Sequence, residues 1–157
     1  MAISRYTGVN YGSLILIEYA PYQTVTTFAL TAAGAINSAG IVFVTGYGWT
    51  SIYCSEDSMG HKQTKQLDNN GESWLQEVVG FTPGEQAPIE AGWISLQKDR
   101  YIVRVTRPDG QQKIVGSLLE PLDLSLDGDT GATVPSAAGT AIKFSGITSI
   151  RALYYSA

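Results

Sequence analysis

Apolar residues come in short runs broken by glycine, proline and asparagine, and strand-like alternation is more frequent than helical spacing. Residues 13–19 (Ser-Leu-Ile-Leu-Ile-Glu-Tyr) have the length and β-branched content of a buried strand. The Ala20-Pro21 step should end it, because proline has no backbone N–H. Residues 23–31, rich in Thr, Val and Phe, read as a second strand, and residues 41–45 and 50–55 as two more, separated by Gly46-Tyr47-Gly48-Trp49. Between them, Ala32 to Gly40 is a stretch of small residues, a loop or a short helix, and Gly34 and Gly40 count against a stable helix.

Residues 56–73 are the most polar part of the chain and end in Asn69-Asn70-Gly71. The Asn-Gly pair predicts a tight turn, because both residues accept positive φ, between hairpin arms at 61–67 and 73–81. Alternation in the second arm puts Leu75, Val79 and Phe81 on one face, and Thr82-Pro83-Gly84 closes it. Residues 87–98 permit one helical turn or two. Residues 100–107 are a clear strand, with Tyr101, Val103 and Val105 on one face and Arg100, Arg104 and Thr106 on the other. Pro108-Asp109-Gly110 is a turn in which Pro sets φ, Asp bonds locally and Gly takes the left-handed position; Lys113 to Gly116 returns as the partner strand. Residues 118–126 place Leu122, Leu124 and Leu126 on one face, residues 127–131 read as a loop, and 140–145 with 148–155 form a last strand pair around Gly146.

No linker, repeat or low-complexity tract divides the chain. The expected fold is mainly β: a single domain over residues 1–157, an antiparallel β-sandwich or β-barrel-like unit with short helical turns. A chain of 157 residues can bury a sizeable core without disulfides or metal. Apolar residues make up 44%, which argues against disorder. Charged residues make up only 15%, against roughly 25% in an ordinary soluble protein. So little charge suits either a surface that other molecules partly cover or large uncharged sheets. Frequent Tyr, 9 residues, suits interfaces as well.

The net charge of −4 excludes a generally basic nucleic-acid footprint, so no nucleic-acid partner is expected. Charge is uneven, though: Lys98, Arg100, Arg104, Arg107 and Lys113 fall close together, and Glu120 to Asp129 is acidic. These blocks are either solvated strand faces or an electrostatic docking surface. The single cysteine, Cys54, gives no disulfide framework and fits a reducing cytoplasm. The N-terminus lacks the basic start and apolar core of a signal peptide. The apolar stretch 29–44 is short and interrupted by Thr31, Gly34, Asn37, Ser38 and Gly40, so no membrane span is expected.

Candidate chemistry is sparse. His61 is the only histidine and reads as an exposed turn residue; Cys54 reads as a buried, inert thiol. No Gly-x-Ser-x-Gly motif accompanies them, and one Cys with one His cannot complete a zinc site. Asp123, Asp127 and Asp129 suggest calcium, but the twelfth residue from Asp127 is Ala138, where an EF-hand needs Glu. Glu18, Glu72, Glu77, Glu85, Glu90 and Glu120 are possible glycosidase carboxylates, with nothing to rank any pair. Tyr47, Trp49, Tyr53, Trp74 and Trp93 either line a carbohydrate-binding face or fill a β core. No catalytic, cofactor-binding or metal-binding residue is therefore assigned, and neither a cofactor nor a small-molecule ligand is expected.

The segment Trp93-Ile-Ser-Leu through Arg100-Tyr-Ile-Val-Arg-Val, then Pro-Asp-Gly and Val115-Gly-Ser, resembles a pattern in small tail- or connector-type structural proteins of bacteriophages and prophages. The ending, where Gly139-Thr-Ala-Ile-Lys-Phe-Ser-Gly precedes a short closing strand, is similar to it too, and the resemblance spans roughly residues 72–157. It implies a non-enzymatic virion protein of the tail, tail tube or head–tail connector, assembled in a bacterial host cytoplasm. Its partners would be copies of itself and other particle proteins, reached through β-edge and loop contacts. The N-terminal segment and the loop 56–72 are the expected intersubunit arms. Competing readings are a carbohydrate- or protein-binding β-sandwich module and a small hydrolase with dispersed carboxylates.

Overall fold

The computed structural model describes residues 3, 7, 8, 12–31, 34–133 and 138–157. Its strands are, in chain order, β1 (Leu16–Pro21), β2 (Val25–Phe28), β3 (Ile36–Asn37), β4 (Ile41–Phe43), β5 (Thr50–Ile52), β6 (Gly60–Asp68) and β7 (Gly71–Pro83). The helix α1 (Ala87–Leu96) follows, then β8 (Arg100–Thr106), β9 (Gln112–Val115), β10 (Leu122–Asp129), β11 (Gly139–Thr148) and β12 (Leu153–Ser156). The fold is mainly β and mostly antiparallel, a sandwich-like domain without a closed barrel. No helix among the described residues is long and apolar enough to cross a membrane.

Strand β8 organises the molecule. Along one edge it pairs with β1 from Leu16↔Thr106 to Pro21↔Tyr101. Its other edge is shared: β9 takes Val103 to Thr106, and β10 takes Arg100 and Tyr101. The ten-stranded sheet forks there, running through β9 and β12 to β3 on one branch and through β10, β11 and β7 to β6 on the other.

Because side chains alternate along a strand, β8 feeds two cores. Tyr101, Val103 and Val105 enter the first, with Ile17, Leu122, Val78, Ile142 and Phe144. Ile102 enters the second, with Ile114, Leu153, Ile36, Val25 and Ile41, under a separate β2–β4 ribbon. In the first core, Tyr101 stands edge-on to Tyr19 and to Phe144, at centroid distances of 5.2 and 5.8 Å. Its hydroxyl donates to the Leu96 carbonyl at 2.6 Å, tying the end of α1 to the sheet. In the second, Arg104 pairs with Glu18 at 2.7 Å and lies over the rings of Trp49 and Tyr155 at 4.9 and 5.4 Å. The strand faces expected for residues 100–107 are those observed.

The turn after β8 also follows the sequence. The Gly110 N–H donates to the Arg107 carbonyl, the Gln111 N–H donates to Asp109 Oδ1 at 3.1 Å, and Gly110 has φ +83. The 61–67/73–81 hairpin is present as β6 and β7, longer at both ends. At its tip only Gly71 has positive φ, at +124; Asn70 does not. Leu75, Val79 and Phe81 do share a face, but it is the outer one; Gln76, Val78, Gly80 and Thr82 point inward. Residues 87–98 hold one continuous ten-residue helix with Pro88 in its first turn, where a missing N–H costs nothing.

The expected last strand pair is a correction. Residues 139–148 form one strand, β11, which pairs with β10 and β7; β12 pairs with β9 and, in parallel, with β3. Gly146 makes no turn. It sits inside β11, where an added Cβ would lie 2.9 Å from Leu122 Cδ2. Glycine serves close approach there. The loop expected at 127–131 is shortened likewise, since β10 runs to Asp129. Ala32 and Ala33 of the small-residue stretch, and most of the N-terminal arm, lie outside the described residues; the rest of the stretch holds β3 and a 3₁₀ turn over Ser38–Gly40.

Candidate functional site

Cys54 and His61 take different hydrogen-bond partners, Thr82 and Gln76. Cys54 is buried, and an added Cβ at Gly80 would lie 2.8 Å from its sulfur. Burial pushes its thiol pKa up, against a weaker opposing effect of Thr82. The burial expected of it is observed. His61 is a correction: it lies within β6, partly buried, not in a turn. Its Nε2–H donates to Gln76 Oε1 at 2.9 Å, the Gln76 amide donates to Thr148 Oγ1 at 3.3 Å, and that hydroxyl donates to the Ile150 carbonyl at 2.7 Å. Gln76 is 1% exposed, so the chain of bonds satisfies polar groups that would otherwise be costly to bury. Burial, helped by the charge of Lys113, pushes the His61 pKa below its ordinary 6.5; the bond to Gln76 opposes this. The apolar alternation of Leu75, Val79 and Phe81 pointed away from Gln76, so no local signal in the sequence marked the network.

The carboxylates are scattered. Glu18 binds Arg104, Glu72 binds Lys65 and Glu77 binds Lys143, each at 2.7 Å. Glu120 accepts from the Ser149 N–H and hydroxyl, and Glu85 and Glu90 are exposed near α1. Asp123 is taken by Arg100 at 3.0 Å, while Asp127 and Asp129 stand exposed along β10. Among the described residues, no three His, Cys, Asp or Glu side chains gather as a metal site.

The basic block is divided too. Arg104 is enclosed at the second core, Arg100 and Arg107 face Asp123 and Asp109, and Lys113 lies 4.9 Å over Tyr154. The aromatic residues differ in their surroundings. Trp93 is buried in the first core and Trp49 packs edge-on to Phe43 at the second. Trp74 lies under Arg151 at 5.1 Å, and Tyr47 and Tyr53 are exposed.

Two features remain. One is an open groove of about 620 Å³, walled by Leu14, Ile52, Tyr53 and Met59 with Glu56 and Asp57 at its rim. It borders a second hollow of about 390 Å³ edged by His61, Arg107 and Lys113. Ser13 and Asp57, the non-glycine residues with positive φ among those described, both line the larger groove. The other feature is the β6–β7 hairpin. Its ladder runs from Gly60↔Val79 to Asp68↔Gly71, whereas β11 supports β7 only from Trp74 onward. Residues 64–72 are exposed on both faces, and Leu67 is 76% exposed. Within the described residues β6 pairs only with β7, so its outer edge is open. The loop expected as an arm over 56–72 is, from Gly60 to Asp68, this strand.

No protein-family model, curated protein or solved structure matches this chain.

Proposed function

We propose that this chain is a non-enzymatic structural protein of a phage or phage-like particle, a tail, tail-tube or head–tail connector component located in the virion. It works by contact, through strand edges and loops, with copies of itself and with other particle proteins. The observation that carries the reading is the β6–β7 arm: a nine-residue strand whose second edge is unpaired among the described residues, on a hairpin whose outer part, residues 64–72, is exposed. An isolated two-stranded ribbon is marginal in water. An open edge invites another strand. Low charge content and the resemblance over residues 72–157 agree with a surface that becomes covered.

Sedimentation of the purified chain over a concentration series tests the assembly, alongside a variant in which residues 67–72 are replaced by a two-residue turn that closes the Gln66↔Ser73 rung. The reading expects oligomers of the intact chain, loss of them in the shortened variant, and unchanged thermal unfolding of its monomer. Recovery of the chain in purified particles, encoded beside portal or tape-measure genes, tests the location. A chain that stays monomeric at every concentration and never enters particles contradicts the proposal.

A further inference from the structure

We infer that β6 is a self-pairing edge: two copies of the chain join through antiparallel β6 strands about a two-fold axis at Thr64. This deepens the assembly reading above and rests on it. The inference comes from register. Residues facing each other in an antiparallel ladder point to the same side of the sheet. A two-fold axis perpendicular to the sheet therefore passes through a residue pair and never between two rungs.

An axis at Thr64 pairs all nine residues of β6. Thr64 meets Thr64 of the second copy, Lys62 meets Gln66, Gln63 meets Lys65, His61 meets Leu67 and Gly60 meets Asp68. No two like charges face each other. An axis at Lys65 sets the two Lys65 side chains against each other, and an axis at Gln63 leaves Leu67 and Asp68 unpaired and brings His61 against Lys65.

Two further observations favour the Thr64 axis. Ile147, Leu75 and Thr64 occupy one rung on the outer face of β11, β7 and β6, and Ile147 is 60% exposed. The axis joins this uncharged row to its own copy as one continuous stripe across both molecules. Second, edge lysines ordinarily deter pairing, but here Lys65 is bound to Glu72 at 2.7 Å, and Lys62 stands opposite Glu77, whose carboxylate it shares with Lys143.

Thiol trapping in the full chain tests the register. Thr64→Cys should give a covalent dimer under mild oxidation or with a short thiol-to-thiol reagent, since facing residues sit about 5 Å apart. Leu67→Cys should not, because its two copies lie on the order of 20 Å apart along the ladder. Buried Cys54 does not compete. Gln66→Glu, placed opposite Lys62, should tighten self-association by roughly tenfold, and Gln66→Lys should loosen it by a similar factor. Trapping at position 67 equal to that at 64, or indifference to both Gln66 changes, overturns the register. If neither cysteine traps while sedimentation still reports oligomers, the β6 edge is wrong and assembly uses another surface. If every variant and the parent chain are monomeric, both readings fall.

Discussion

At the scale of single residues, polar side chains are placed to be satisfied. His61, Gln76 and Thr148 form a directed chain of donors at the root of the hairpin, with Gln76 and Thr148 almost fully enclosed. The sequence marks His61 as polar and isolated; only the fold brings Gln76 within reach from the neighbouring strand. A pH effect follows. Burial lowers the folded-state pKa of His61 below 6.5, so the unfolded chain takes up its proton first as the medium is acidified. The contribution is complete above the unfolded pKa and is lost as pH falls toward the folded one. Denaturant midpoints measured from pH 7.5 down to pH 5 (a window chosen to bracket about 6.5) should therefore fall. His61→Asn should flatten that decline. An equal decline in the variant would assign it to other groups.

At the scale of elements, local signals were legible and distant ones were not. The β8–β9 hairpin reads directly from its alternation and from Pro108-Asp109-Gly110, because both strands and the turn lie within residues 100–116. The hairpin of β6 and β7 reads from Asn70-Gly71 for the same reason, although only Gly71 takes the left-handed conformation. What sequence misjudged is what depends on remote neighbours. Gly146 looks like a turn residue until Leu122 is seen beside it, and the inward face of β7 carries Gln76, Gly80 and Thr82 where apolar residues were the expected marker. The pairing of β12 with β9 and β3 leaves no local trace. The strand role of Gly146 can be measured. Gly146→Ala should cost about 1 kcal/mol, since its methyl meets the end of a buried Leu side chain. Gly139→Ala should cost about 3 kcal/mol, since there the methyl would collide with the Thr82 carbonyl oxygen, in backbone that cannot step aside. Equal unfolding free energies for the two variants would contradict this reading of β11.

At the scale of the whole molecule, one strand buried on both faces supports two cores, and one branch of the forked sheet ends in an arm whose outer part, residues 64–72, is exposed and belongs to neither core among the described residues. The candidate site was legible only as a polar stretch between 56 and 73; that it stands out as a ribbon with an open edge depends on where β11 stops supporting β7. Cys54, His61 and the carboxylates, by contrast, were visible in the sequence as residue types, while the partners each takes depend on the fold. Amide hydrogen exchange across a dilution series tests the central claim most directly, because alternate residues of β6 direct their N–H groups to the open edge. Protection of those amides should rise with concentration while the β8 amides stay equally slow throughout. Fast exchange along β6 at every concentration would contradict the account.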